Sequence, residues 1–255
     1  MKILCIGDIV SEDGAKYLMK HLPRLRKQYG ADVVIVNGEN SALGNGIDRT
    51  SFDMIMDAGA DIVTGGNHSF QKRSAQSLHD DEKRLISPAN LQNTTRGEIV
   101  LDMGRYYLRV INLSGSLFMA ECENPFQYMQ KALEREKNAI TVVDFHAEAS
   151  GEKRAMGFML DGKVSLVYGT HTHVQTNDAQ ILPNGTGYVT DIGMTGVKNS
   201  VIGKDIGVCI HNFLGKGERL PVKDGQGGCI LSGIFAEIDE HTKKCIDIRL
   251  INIDN

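Results

Sequence analysis

The sequence predicts an α/β fold: a largely parallel sheet with strands alternating with helices, and a second sheet packed beside it. Three observations carry that expectation. Five runs, KILCI, DVVIV, DIVTG, ITVVDF and VSLVY, are almost continuously apolar, as strands buried on both faces are. Segments with helical spacing separate the early runs, giving the strand–helix–strand rhythm of βαβ units. Each run also ends in a short polar signature: Gly7-Asp8, Asn37-Gly38-Glu39-Asn40, Gly66-Asn67-His68, His146, and Gly169-Thr170-His171-Thr172-His173. Open α/β sheets bind ligands beyond the carboxyl ends of such strands.

The elements follow in order. After the first strand, Gly14 to Tyr29 carries Tyr17, Leu18, Leu22 and Leu25 at helical spacing, with Pro23 expected to kink or divide the helix. The second strand, Asp32 to Val36, leads into a loop rich in Gly, Asn and Ser from Gly38 to Gly46. A helix is expected from about Ser51 to Ala58, then a strand at Ile62-Val63-Thr64. Gln71 to Leu78 reads as a short helix and His79 to Arg84 as a solvated turn. Glu98 to Asn112 alternates around Met103-Gly104 and predicts a hairpin. Asn124-Pro125 is a helix start, because Asn caps and Pro suits the first helical position. That helix presents Phe126, Met129, Ala132 and Leu133 on one face, with Glu134 to Lys137 solvated. Ile140 to Phe145 is a buried strand, and Ser150 is expected to cap a helix through Ala155, Met156 and Met159. The glycine-rich last third, Val164 to Ile253, reads as an antiparallel continuation. No repeat, low-complexity tract or linker interrupts the chain, so one domain over residues 1–255 is expected.

Composition narrows the function. Of 255 residues, 41% are hydrophobic, enough for a substantial core, and the formal net charge of −4 offers no basic footprint for nucleic-acid backbone. A single phosphate-bearing small molecule stays compatible, since metal ions supply positive charge locally. No run approaches the roughly 18 apolar residues of a membrane span, and the N-terminus lacks a secretory cleavage pattern. The five cysteines, Cys5, Cys122, Cys209, Cys229 and Cys245, are odd in number and scattered, as in a reducing cytoplasm.

The strand-end residues read together as a two-metal hydrolytic centre. Such a centre needs two cations sharing a bridging ligand, a hydroxide nucleophile made at neutral pH, and an acid for the departing oxygen. Asp8 and Glu39 are carboxylates at consecutive strand ends, and Glu39 is long enough to bridge. Asn40 and Asn67 offer carbonyl oxygens; His146, His171 and His173 offer imidazole nitrogens. His171 and His173, two apart in an extended segment, would face one way. This mixed N/O set suits iron, manganese or zinc rather than calcium or magnesium. Adjacent side chains seldom aim at one point, so if Asn67 binds metal, His68 is left to lean over substrate as proton donor.

The order of these motifs resembles the calcineurin-like metallophosphoesterases and, more closely, the YmdB family within them. The match runs from GDIV at Asp8 through NGEN, GNH, FHAEAS–EK and GTHTHVQT to TDIGMTG, ending at Gly196. The resemblance implies a four-layer α/β/β/α sandwich, phosphodiesterase activity toward 2′,3′-cyclic nucleotides, a di-iron centre that accepts manganese, and a homo-oligomer. By position it implies metal ligation by Asp8, Glu39, Asn40, Asn67, His146, His171 and His173, with His68 as proton donor. The broader superfamily begins Gly-Asp-x-His and bridges with Asp. Here Ile9-Val10 follows Asp8 and Glu39 replaces the bridge, which fits the narrower family and leaves Asn40 to fill the vacant ligand position. The likeness does not extend to Ser11-Glu12-Asp13, where that family usually carries a Gly-rich, Arg-containing turn.

Taken singly, each signature has a plainer explanation. A lone strand-end Asp commonly caps a helix or shapes a turn, and Gly-Asn-His is ordinary turn composition. His21 is assigned to the first helix, His79 and His241 to solvated stretches, and His211 to the end of an apolar strand away from the site. The loop from Thr190 to Lys204 reads equally as a structural turn or as backbone around the site, and Met54, Met56, Met156 and Met159 as core filling. Two other functions use the same residues: a phosphomonoesterase, and a regulatory protein whose metal site stabilises the fold.

Overall fold

The computed structural model describes residues 1–135, 138–215 and 217–254. Two mixed sheets form it. The first has the order β2 (Asp8–Ile9), β11 (Met194–Val197), β12 (Cys229–Ile238), β1 (Lys2–Ile6), β3 (Val33–Asn37), β4 (Ile62–Thr64), with β13 (Cys245–Asp254) also paired to β12. Strands β1, β3 and β4 are parallel, whereas β12 runs antiparallel to β1 and β13. The second sheet has the order β5 (Glu98–Asp102), β6 (Tyr107–Ser114), β7 (Ala139–His146), β8 (Leu166–Thr170), β10 (Gly187–Val189), β9 (Gln180–Ile181). Its central strands β6, β7, β8 and β10 are parallel.

Alternating side chains explain the packing. From β1 and β3, Ile3, Cys5, Val33 and Ile35 turn toward Val110, Val142, Leu166 and Tyr168 of the second sheet and make a buried core with them. The intervening Leu4, Ile6, Val34 and Val36 pack on helices α1 (Ser11–Tyr29), α2 (Arg49–Asp57) and α3 (Ala75–Asp81) through Leu18, Leu22, Phe52, Ile55 and Leu78. The outer face of the second sheet uses Leu113, Val143, Phe145 and Val167 against Met129 and Ala132 of α4 (Pro125–Arg135) and Met156 and Leu160 of α5 (Ser150–Leu160). The methionine groups are core filling, Met156 within it and Met54, Met56 and Met159 against it.

Several expectations are corrected. Pro23 does not divide α1, which runs unbroken for 19 residues. The N–H that Pro23 lacks lies on the solvent face, where water can satisfy Met19, itself 39% exposed. The helix ends at Gly30 in the left-handed region, φ 59°. The short helix expected from Gln71 begins at Ala75, and His79 lies inside it, buried at 1% exposure against the Phe70 ring, not in a solvated turn. Ser150 is the first residue of α5 rather than its cap. In the last third β8 and β10 are parallel, and Ile206–Leu214 forms a helix, α6, placing His211 on it rather than after a strand. The hairpin is β5 and β6 about Gly104, and Asn124 Oδ1 accepts from the N–H groups of Phe126 and Gln127 as expected. Glu136 and Lys137, read as solvated, lie outside the described residues.

Candidate metal centre

The parallel strands of both sheets end on one side, so their polar signatures meet. Asp8 opens β2, Glu39 and Asn40 follow β3, Asn67 and His68 follow β4, His146 closes β7, and His171 and His173 follow β8. Asp8, Glu39, Asn40 and His146 are all buried. All seven expected metal ligands converge. His146 Nε2 lies 2.9 Å from Asn67 Oδ1, 3.1 Å from His171 Nδ1 and 3.3 Å from Glu39 Oε1. His173 Nε2 lies 3.8 Å from Asp8 Oδ1 and 3.2 Å from Asn40 Nδ2.

Hydrogen bonds on the far sides of the rings determine which atoms face inward as lone pairs. His173 Nδ1 lies 2.9 Å from the carbonyl of Ile202, which only accepts, so Nδ1 carries the proton and Nε2 is bare. His171 Nε2 lies 3.1 Å from the Glu148 carboxylate, so the neutral ring turns a bare Nδ1 toward His146. Asn67 Oδ1 and Glu39 Oε1 add acceptors at the same place. Beside them Asp8 Oδ1 is buried with no hydrogen-bond partner, while its Oδ2 accepts from the His171 N–H. Buried acceptors left facing one another are costly unless a cation joins them. Asp8 is pushed up by burial, against the pull of His173 and His146. Burial would push His146 down, yet Glu39, Asp8 and Asp144 hold it at about 9. The carboxylates around His146 thus favour positive charge at this place. Among the described residues Glu39, His146 and His171 form a cluster of metal-binding geometry. The donor set fits the metals the sequence implies.

Asn40 departs in detail. It directs its amide nitrogen to Glu39 Oε1 at 2.7 Å and to His173, so it steadies other ligands, and its oxygen would face the centre only with the amide turned over. His68 donates its backbone N–H to Glu39 Oε2 at 2.8 Å and lines an open cleft of roughly 390 Å³ with His171, His173, Lys204 and Val222. That volume suits a small molecule. Gly66 keeps the pocket tight, because a Cβ there would stand 2.3 Å from both Glu39 Oε2 and His146 Nε2.

The backing was not named from sequence. Asp144 is fully buried, lifted to about 6 by burial, and accepts from Thr64 Oγ1 at 2.5 Å and Thr170 Oγ1 at 2.7 Å. Lys153, 1% exposed, donates to Asp191 Oδ2 at 2.6 Å and to the Thr170 carbonyl at 2.8 Å. Asp191 also accepts from the N–H groups of Thr172 and Gly193. The signal was present, since Asp144 interrupts an apolar run, and Lys153 and Asp191 lie within FHAEAS–EK and TDIGMTG. The segment from Thr190 to Lys204 is not loop throughout, since it contains β11, and it borders the site through Asp191 and the Ile202 carbonyl. His211 is elsewhere, its Nε2 3.0 Å from the Glu218 carbonyl.

The YmdB-like protein family model matches residues 4–251, which spans every strand-end residue just described. The chain belongs to the YmdB-like family. This YmdB-like chain is 38% identical over 261 residues, covering all of it and 98% of the relative, to a Bacillus subtilis (strain 168) protein named 2′,3′-cyclic-nucleotide 2′-phosphodiesterase. A Mycoplasma pneumoniae crystal structure, described as a novel phosphatase, superposes with a TM-score of 0.95 at 34% identity, over all of this chain and 93% of that one. A hypothetical protein from Thermus thermophilus gives a TM-score of 0.93 at 36% identity, over 100% and 99% of the two chains. The YmdB-like α/β architecture with its mixed sheets is therefore shared along its whole length.

Proposed function

We propose that this chain is a phosphodiesterase that uses two metal ions to hydrolyse 2′,3′-cyclic nucleotides. The observation that carries the metal half is the inward turn of His146 Nε2 and of the bare His171 Nδ1 and His173 Nε2, beside the orphaned Asp8 Oδ1. The substrate half rests on the name of the Bacillus relative. In this reading Asn67, His146 and His171 would hold one cation, Asp8, His173 and, with its amide turned over, Asn40 would hold the other, and Glu39 would serve both. When bound, the pair supplies Lewis acidity, offsetting phosphoryl charge and making water a nucleophile at neutral pH. Iron fits the N/O set, as do manganese and zinc.

The chain's own groups do the rest. Glu39 is steadied from outside by the His68 N–H on Oε2, so that oxygen is oriented before substrate arrives. His68 stands in the cleft and delivers a proton to the departing 2′ or 3′ oxygen. Lys204, held by Asn45 and Asp224, lines the same cleft. The wider reading is one unit in a four-layer α/β/β/α sandwich, working in the cytoplasm on a small molecule rather than on nucleic acid. Cys5, Cys122, Cys209, Cys229 and Cys245 are all free thiols, which suits a reducing compartment. Apolar residues of α6 that stand open, Phe213 at 85% and Ile210 at 51% exposure, support a homo-oligomer, which sedimentation would show or exclude.

The test pairs elemental analysis with a panel of 2′,3′-cyclic, 3′,5′-cyclic and monoester substrates. Two metals per chain and preference for the 2′,3′-cyclic class are expected; preference for monoesters would replace the substrate reading with a phosphatase. His68→Ala should keep both metals while turnover falls roughly 10²–10⁴-fold. Loss of metal with it would make His68 a ligand, and full activity would remove it from the chemistry.

A further inference from the structure

We propose that Asp144 and Thr170 are positioning residues that fix His146 with its proton on Nδ1, leaving Nε2 bare toward the centre; the inference rests on the metal reading above. Thr170 Oγ1 lies 2.7 Å from Asp144 Oδ1 and 2.9 Å from His146 Nδ1. A hydroxyl has one proton. Asp144 is acceptor-only as a carboxylate, and its other oxygen already takes Thr64 Oγ1 at 2.5 Å and Asn37 Nδ2 at 3.3 Å. Three donors surround it, so the Thr170 proton points to Asp144, and the oxygen that remains can only accept from His146. The imidazole must then donate from Nδ1.

The opposite arrangement fails at each link. A proton on Nε2 alone would force Thr170 to donate to Nδ1, setting its lone pairs against a buried carboxylate at 2.7 Å. Every member of the chain is fully buried, with Asp144, Thr170 and His146 at 0% exposure, so bulk solvent does not compete for these bonds. The register of the second sheet makes the contact inevitable: His146 pairs with Thr170 across β7 and β8, and Asp144 lies two residues back on the same face. Asn37 and Thr64, at the ends of β3 and β4, bring donors from the first sheet to the same carboxylate, so both sheets converge on one proton position. Groups that orient a metal-binding histidine in this way commonly govern its affinity for the ion.

Zinc is the probe, being diamagnetic and suited to N/O donors. In zinc-loaded, ¹⁵N-labelled protein, long-range ¹H–¹⁵N spectra should show His146 protonated at Nδ1; a protonated Nε2 overturns the proposal. Thr170→Val should bind zinc roughly 10–100-fold more weakly, and Thr170→Ser, which restores the hydroxyl, should return the wild-type value. Unchanged affinity in the folded Thr170→Val protein also overturns it. If that variant does not fold, the wild-type spectrum decides. If wild-type protein takes up no zinc at this cluster, the metal reading fails by itself. The proton position on His146 in metal-free protein at alkaline pH, where the ring is neutral, then still confirms or refutes the relay.

Discussion

Breaking the Lys153–Asp191 pair should loosen the His171–His173 loop and destabilise the fold together. Both partners are about 1% exposed, and the 2.6 Å contact is reinforced by the Thr170 carbonyl on one side and the Thr172 and Gly193 N–H groups on the other. Removing one member of a buried pair typically costs about 3–5 kcal/mol, because the other charge is left uncompensated. Lys153→Met leaves Asp191 two N–H donors, which places it at the lower end, about 3 kcal/mol. Asp191→Leu strands Lys153 with one carbonyl and also orphans two N–H groups, so it should cost more. For a chain of this size about 3 kcal/mol lowers Tm by roughly 6–12 °C. The consequence reaches the centre because His171 and His173 have φ of 103° and 64°, a left-handed backbone that side-chain-bearing residues adopt only under constraint. Thermal unfolding read beside manganese titration checks both effects. A Lys153→Met protein with wild-type Tm and wild-type manganese affinity would refute the reasoning.

Two further perturbations follow from buried groups. His79 is pushed down by burial from 6.5 to about 4, so the folded state binds fewer protons than the unfolded chain between those values. Stability should therefore fall as pH drops through that window, by roughly 3 kcal/mol, and level off below it. Urea unfolding of wild type against His79→Leu isolates this contribution, and parallel pH curves would exclude it. Gly66→Ala would thrust a Cβ to 2.3 Å from Glu39 Oε2 and His146 Nε2. Its cost to the fold should be about 1–3 kcal/mol, while manganese affinity, measured by calorimetry, drops roughly 10–100-fold; unchanged affinity would mean that the neighbours yield freely.

What was legible in the sequence is what depends on local pattern. Buried parallel strands announce themselves as apolar runs, and their ends are where chain direction aims side chains at a shared edge, so all eight named residues fell in one place. The reasons were sometimes different. His171 and His173 were expected to share a face of an extended segment, but β8 stops at Thr170 and both histidines are turned inward by left-handed backbone. His79 reads as solvated because Asp80, Asp81 and Glu82 follow it in sequence, yet on α3 its own face meets Phe70 and the core. Helix α6 was not anticipated, since its apolar run resembles a strand and lacks a polar face to reveal the period.

The backing groups left a mark in the sequence but not a role, because that role exists only where distant elements meet. Asp144 in β7 reads as a flaw in an apolar strand until Thr64 and Asn37 arrive from the other sheet. Lys153, on α5, reads as a solvated helix residue until Asp191 arrives from 38 residues away. Such groups answer a physical demand made by the centre itself. Two carboxylates and three imidazoles converge within a few ångströms, and acceptors so placed repel unless a proton or a metal ion joins them. Left to relax, those side chains would rotate apart. Side chains tied only to each other could do so at small cost; those tied to Asp144, Lys153 and Asp191 cannot, because each rotation would orphan a second buried polar group. The ligands are thus held in place by the expense of moving their partners.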